Sequence, residues 1–124
     1  MRVNNDHTFA VLTYKESPYI YECIRSLLNQ SVTSKIILYT STPNNHIKEC
    51  ARKFEIELKI NKIRQNIGND WNFALQDCST NYLTLVHQDD IYTKNYLEKV
   101  LNNVTNDFLI IFSFYNIILH SQKK

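Results

Sequence analysis

Two adjacent carboxylates, Asp89 and Asp90, follow the apolar segment 82–86 and precede a segment with helical spacing. Carboxylates this close repel each other unless a cation or water lies between them. Their hard oxygen atoms suit Mg²⁺ or Mn²⁺, which commonly bridge one or two carboxylates to the phosphates of a substrate. The alternative is a solvated helix start, where the helix dipole favours acidic side chains. The pair therefore predicts either a divalent-metal site or an acidic helix N-terminus.

Gly68 is the only glycine of the chain and lies in the segment Asn66-Ile-Gly-Asn-Asp70. Glycine allows positive φ or a close approach of the backbone to a ligand, although an ordinary turn has the same requirement. The chain contains neither G-x-G-x-x-G nor G-x-x-x-x-G-K-[ST], which disfavours classical dinucleotide sites and P-loops. His87, just before the acidic pair, is interpreted as a metal ligand, a phosphate contact or merely a polar strand end.

The other reactive side chains give no candidate for nucleophilic catalysis, because there is no G-x-S-x-G pattern and the cysteines fall on apolar helix faces. Reduced, buried thiols are therefore expected at Cys23, Cys50 and Cys78. Such thiols indicate a cytoplasmic protein, and the polar residues 1–7 do not resemble a signal peptide. We expect surface positions for His7, His46 and His120, and core positions for Trp71 and Tyr82.

The composition fits one globular domain of 124 residues. A formal net charge of +2 predicts no binding to nucleic acid or to an anionic membrane. The longest apolar stretch, residues 108–119, is too short for a membrane span and is interrupted by polar residues.

Two hydrophobic periodicities alternate along the chain and predict α/β architecture. Five strands are predicted, at residues 9–12, 36–39, 56–60, 82–86 and 107–114. Four helices are predicted to begin at Ser17-Pro18, at Thr42-Pro43, at Asn69 or Asp70, and at Thr93. Such alternation is typical of a mostly parallel sheet with helices on both faces, whose ligands bind at the carboxyl ends of the strands. The search for function therefore narrows to residues 13–17, 40–44, 61–70 and 87–92.

Between residues 9 and 101 the sequence resembles the family 2 glycosyltransferases in four blocks. The blocks are Phe9-Ala-Val-Leu-Thr-Tyr14, Tyr19-Ile-Tyr-Glu-Cys-Ile-Arg-Ser-Leu-Leu-Asn-Gln30, Asn66-Ile-Gly68 with the later Asn72, and Tyr82-Leu-Thr-Leu-Val-His-Gln-Asp-Asp90. The second is the most specific, since it is similar almost residue for residue to a helix of that family. The resemblance implies the GT-A fold, which is Rossmann-like, and transfer of a sugar from a nucleotide donor to an acceptor hydroxyl of a glycan, lipid or protein.

The resemblance also implies roles by position, with Mn²⁺ or Mg²⁺ as the cofactor and usually a uridine diphosphate sugar as the donor. Asp89 would ligate the metal that bridges the diphosphate, and Asp90 would support the metal or the donor sugar. The base and ribose would be flanked by Thr13, Tyr14 and Glu16. The nucleotide and sugar side would be lined by Asn66, Gly68 and Asn72.

Three departures from the family qualify these roles. Thr40-Ser41 stands where an acid usually contacts the base, so hydroxyl groups must substitute for it or base selectivity differs. His87 stands where the first acid of D-x-D lies, and an imidazole cannot repeat the charge of a carboxylate. The family's catalytic domains are also about twice as long, and the second half holds the acceptor site and the general base.

We therefore expect the nucleotide-sugar-binding half of a glycosyltransferase, with a nucleotide-binding module that lacks activity as the alternative. A phospho-acceptor signalling domain is disfavoured, because Thr13-Tyr14 and Asn61-Lys62 occupy the places of its acids. The uncharged segment 108–112 has strand propensity and is a candidate for pairing with a second copy of the chain, which would give a homodimer.

Overall fold

A computed structural model describes residues 2–63 and 67–103, which form a four-stranded sheet and four helices. The strands are β1 Arg2–Leu12, β2 Val32–Thr40, β3 Glu57–Ile60 and β4 Tyr82–His87. The helices are α1 Ile20–Leu28, α2 Asn45–Phe54, α3 Ile67–Asp77 and α4 Tyr96–Asn102. The predicted strand at residues 107–114, and with it the proposed dimer contact, lies outside the described residues.

The sheet is parallel throughout, in the order β3-β2-β1-β4, and this confirms the predicted α/β class. Its carboxyl ends lie side by side, since Leu12 is opposite both Tyr39 and His87. β1 begins earlier than its apolar run, because the polar residues before it pair with the start of β2 from Arg2 onwards. An irregularity in this pairing falls between Val3 and Thr8.

The two faces of the sheet carry different amounts of apolar packing. One face is covered by α1, α2 and α4, and its core includes Phe9, Ile24, Ile47 and Leu97, each with no exposed surface. Burial of such side chains contributes roughly 1.5–3 kcal/mol each to stability. The other face is covered by α3, whose only fully buried apolar residue in that core is Ala74. The helices thus lie on both faces as predicted.

The first two helices begin later than the sequence pattern predicts. Ser17 does not cap α1; its hydroxyl accepts a hydrogen bond from the Tyr19 amide at 3.1 Å, and the helix begins at Ile20. Thr42-Pro43 likewise precedes α2, which is capped by the Asn44 side chain through the Ile47 amide at 2.8 Å. In both cases a side-chain turn completes the loop before the helix can start.

The last two helices also differ from the predicted boundaries. α3 begins at Ile67, so Asn69 and Asp70 lie inside its first turn instead of capping it. α4 begins at Tyr96 rather than directly after Thr93, whose carbonyl accepts from the Tyr96 amide at 3.0 Å.

The side of α3 that faces the sheet is not the predicted apolar stripe, because Asp70 and Asp77 lie on that side and accept hydrogen bonds there. Asp77 accepts a hydrogen bond from the buried Tyr39 hydroxyl and pairs with Lys59, both at 2.7 Å. Burial acts to raise the pKa of Asp77, but the hydrogen bonds from Lys59 and Tyr39 outweigh it and hold the pKa below its usual value. As a result Trp71 and Leu75 are 37% and 53% exposed, so the predicted core position of Trp71 is wrong. Tyr82 is only partly buried.

His7 is buried, which corrects the predicted surface position. Ser34 donates its hydroxyl hydrogen to the His7 carbonyl at 2.6 Å, so His7 Nδ1 must donate to Ser34 Oγ at 2.8 Å. Nε2 then accepts from the Thr84 hydroxyl at 2.7 Å. The neutral ring thus links β1, β2 and β4, and burial lowers its pKa from 6.5 to about 4. Of the other two histidines, His46 is partly buried, and His120 lies outside the described residues.

All three cysteines are unpaired, as expected. Cys23 and Cys50 are buried, whereas Cys78 follows the last residue of α3 and is partly exposed. Burial raises the pKa of Cys50 to about 11. No helix among the described residues is long and apolar enough to cross a membrane.

Candidate functional site

The loop after β1, residues 13–17, lies at the carboxyl edge of the sheet and is attached to the end of β2. Both the amide and the hydroxyl of Thr13 donate to the Tyr39 carbonyl, at 2.9 and 3.0 Å. Thr13 is 2% exposed, and its hydroxyl joins the ends of β1 and β2.

The same loop is attached to the end of β4 by Gln88. The Gln88 side chain accepts from the Tyr14 amide at 3.2 Å and donates to the Tyr14 carbonyl at 2.8 Å. Gln88 is 3% exposed, whereas the Tyr14 side chain is 43% exposed. The backbone of Tyr14 is therefore fixed while its ring remains accessible.

The second half of the loop is held by side chains from α2 and from the acidic pair. Asn44 donates to the Lys15 carbonyl at 2.9 Å, and His46 Nε2 lies 2.8 Å from the Ser17 carbonyl. The Ser17 hydroxyl donates to Asp89 Oδ1. Lys15 has φ of 55°, a left-handed conformation that a residue with a β-carbon adopts only where its surroundings impose it.

Asp89 and Asp90 occupy a tight turn directly after β4. The Asp90 amide donates to the His87 carbonyl at 3.1 Å, and both carboxylates are exposed. No ion pair with Lys or Arg engages either of them within the part of the chain that the structure describes. Burial raises the pKa of the neighbouring Cys23 thiol to about 12, with the charge of Asp90 as the next contribution. The turn is therefore a locally negative surface.

The chemistry of this pair fits Mg²⁺ or Mn²⁺. Asp89 Oδ1 accepts one hydrogen bond from Ser17, which leaves its other oxygen available to a cation. Within residues 2–63 and 67–103, no third His, Cys, Asp or Glu completes a metal-binding cluster. A cation would therefore take its remaining ligands from phosphate and water, as Mg²⁺ commonly does.

His87 is exposed at the end of β4 and contacts Trp71 of α3. The ring centroids lie 6.0 Å apart in an edge-to-face arrangement. The only tryptophan of the chain thus lies at the edge of the site. It contacts His87, which is two residues before Asp89 in the sequence.

The end of β2 carries an acid that the sequence pattern does not place there. Thr40 is buried and its hydroxyl accepts from the Thr42 amide at 3.0 Å. Ser41 donates to Asp70 Oδ2 at 3.2 Å, and Asn61 donates to Asp70 Oδ1 at 3.4 Å. The carboxylate of Asp70 on α3 therefore stands beside Ser41, at the strand end where the sequence has only hydroxyl groups.

Asn72, next to Trp71 on α3, is exposed. It lines a cleft of about 310 Å³ at the edge of the sheet, together with Asn61, Ile63, Asn69, Phe73 and Gln76. Gly68 lies in the first turn of α3, and Asn66 is outside the described residues. Glu16 is exposed on the loop after β1. The structure thus brings Tyr14, Asp89 and Asp90 to one region and places Asn72 in another.

The sequence patterns missed Gln88, Ser17 and Asp70, which connect the site internally. Gln88 carries no local signal, because its partners lie 74 residues away along the chain. Ser17 matches the sequence pattern of a helix cap, but its hydroxyl donates to Asp89. Ser17 lies near Asp89 because β1 pairs with β4, so that the loops after these two strands are neighbours.

Comparison with known proteins identifies the group to which this architecture belongs. The profile described as Glycosyl transferase family 2 matches residues 8–123. The chain belongs to this family. Among curated protein sequences none matches it.

The family 2 domain has the same fold as a solved structure, TarS from S. aureus. The superposition has a TM-score of 0.65, with 21% sequence identity over 82% of this chain. It supports the GT-A, Rossmann-like fold predicted from the four blocks, with four described strands in place of the five predicted. The chain spans about a fifth of TarS, since the match covers 19% of that protein.

Proposed function

We propose that this chain is the nucleotide-sugar-binding part of a glycosyltransferase. It would bind a nucleoside diphosphate sugar, with uridine diphosphate as the first nucleotide to test, and a Mn²⁺ or Mg²⁺ ion. The sugar would pass to an acceptor hydroxyl of a glycan, lipid or protein. The three unpaired cysteines support a reducing, cytoplasmic setting.

The observation that carries the proposal is the hydrogen bond from Ser17 to Asp89, which joins the loops after β1 and β4. It sets an accessible carboxylate pair beside the loop that carries the exposed Tyr14 ring. A ligand with an anionic end and a planar aromatic end matches this arrangement, and family membership supports a nucleotide sugar as that ligand.

The roles of the residues follow from their positions. Asp89 and Asp90 would hold the divalent ion, which when bound offsets the negative charge on the leaving diphosphate. Ser17 would keep Asp89 oriented, and Tyr14 would contact the base. Trp71 and His87 would lie near the donor, on the α3 side of the acidic pair. No general base is assigned.

A nucleotide-binding module without transfer activity is the second candidate. The observation that favours it is His87, which stands at a position where a carboxylate would add charge to the metal site. This candidate predicts the same nucleotide binding without transfer of the sugar.

A melting-temperature scan tests the proposal. The chain would be mixed with uridine, guanosine, cytidine or thymidine diphosphate, each with and without Mn²⁺. Ligand at about 100 times its Kd adds roughly 2.7 kcal/mol to stability, which is several degrees in the melting temperature of a domain this size. We expect one nucleotide to give a clear, Mn²⁺-dependent shift. No shift with any of the four at millimolar concentration would contradict the proposal.

Release of nucleoside diphosphate from the sugar donor then separates the two candidates. Acceptor-dependent release supports the transferase, and nucleotide binding without release supports the module.

A further inference from the structure

Gln88 makes an unusual pair of contacts for a side chain. Its carboxamide bonds both backbone groups of one residue, since it accepts from the Tyr14 amide and donates to the Tyr14 carbonyl. The two bonds use one donor and one acceptor in the manner of a neighbouring β-strand. Because Gln88 is 3% exposed, removal of its carboxamide would leave these backbone groups without their partner near the protein interior.

The contacts fix Tyr14 relative to the acidic pair. Gln88 is the residue before Asp89, and Asp89 accepts from Ser17 in the same loop as Tyr14. Two adjacent residues of the β4 loop therefore hold the β1 loop at two points. The position of the Tyr14 backbone relative to the turn that carries Asp89 is therefore set by the protein before any ligand arrives.

The accessible part of Tyr14 is its ring, because its backbone is engaged on both sides by Gln88. An exposed aromatic face on a fixed backbone suits a planar heteroaromatic ligand, and stacking on such a face loses little conformational entropy. We propose that Gln88 is a positioning residue that holds Tyr14 for stacking against the nucleotide base. This inference rests on the function proposed above.

The chain offers a matched control in Gln30. This glutamine is 1% exposed, and its side chain donates to the carbonyls of Ser26 and Thr93 and accepts from the Leu97 amide. These hydrogen bonds connect α1 with α4 and with Thr93 before it, and none of them reaches the loop after β1. Gln30→Met and Gln88→Met therefore both remove a buried carboxamide, but only the second acts on Tyr14.

The experiment measures affinity for two probes with Mn²⁺, at a temperature where every variant is folded. One probe is UDP, or another of the four nucleoside diphosphates if it gives the largest shift in the scan. The other is inorganic pyrophosphate, which has no base. We expect Gln88→Met to weaken nucleotide binding about tenfold with pyrophosphate binding little changed, and Gln30→Met to bind both as the parent does.

A double-mutant cycle with Tyr14→Ala separates positioning from general structural damage. Tyr14→Ala should itself weaken nucleotide binding, and Gln88→Met should then cause no further loss. The inference is overturned if Gln88→Met binds UDP like Gln30→Met, if it weakens UDP and pyrophosphate equally, or if its effect persists without Tyr14. A parent chain that binds no nucleotide at all would instead overturn the proposed function, and the inference with it.

Discussion

The two faces of the sheet differ in how their covering helices are held. The face under α1, α2 and α4 holds most of the buried apolar side chains, including Phe9, Ile24 and Ile47. The face under α3 has a smaller apolar core, and α3 is oriented by Asp70 and Asp77 through hydrogen bonds from Ser41, just after β2, and from Tyr39 of β2. The first face thus holds most of the buried apolar side chains, whereas α3 on the second face leaves Trp71 exposed at the edge of the site.

Apolar substitutions on the helices of the two faces should therefore have unequal effects. Ile24→Ala removes a side chain with no exposed surface and should lower the free energy of unfolding by about 2–5 kcal/mol. Leu75→Ala, on α3, removes a side chain that is 53% exposed and should change it by less than about 0.5 kcal/mol. Urea unfolding measures both. Similar losses in the two variants would show that the two faces contribute equally to the free energy of unfolding.

His7 adds a pH-dependent contribution on the densely packed face, where its ring contacts Phe9. Its pKa is about 4 in the folded chain against 6.5 as the ordinary value. Between these values the unfolded chain binds a proton that the folded chain does not, so stability falls as the pH falls from 6.5 towards 4. The loss should approach about 3 kcal/mol.

Unfolding midpoints in urea from pH 7 to pH 4.5 would measure this effect. His7→Gln cannot take up the proton, so this variant should be less stable at pH 7 but show a smaller decrease at low pH. A decrease as steep as that of the parent would assign the pH dependence to other groups.

The interiors of the strands could be predicted from sequence because apolar runs such as Phe9-Ala-Val-Leu12 and Ile36-Ile-Leu-Tyr39 record local burial. The start of β1 could not, because polar residues join a strand only through pairing with β2. The orientation of α3 also could not be predicted from the hydrophobic periodicity of the sequence. Hydrogen bonds from distant residues such as Tyr39 to Asp77 outweigh the apolar pattern that pointed to Trp71.

The residues of the candidate site also fall into some that the sequence predicts and some that it does not. Asp89 and Asp90 could be named from their position after an apolar strand, and Tyr14 from the resemblance to the family. Gln88 could not, because its function depends on which loop lies beside it in space. The bond from the Thr13 hydroxyl to the end of β2 could not be predicted either, because Tyr39 lies 26 residues away along the chain.

The smallest of these effects is the loss of metal-dependent affinity in Asp89→Asn. It tests whether the junction between the β1 and β4 loops binds a metal and a diphosphate. Asp89→Asn removes one charge but retains an oxygen to accept from Ser17, so the fold should be preserved. Glu49→Gln removes one charge from an exposed position on α2 and is the matched control.

The decisive measurement is calorimetric titration of UDP, or of the nucleoside diphosphate selected by the scan, into parent, Asp89→Asn and Glu49→Gln, each with and without Mn²⁺. We predict that Mn²⁺ strengthens binding to the parent and to Glu49→Gln. In Asp89→Asn the affinity with Mn²⁺ should fall by about tenfold, or 1.4 kcal/mol. Equal Mn²⁺-dependent affinity in all three proteins would contradict the account and leave the acidic pair as part of an ordinary turn.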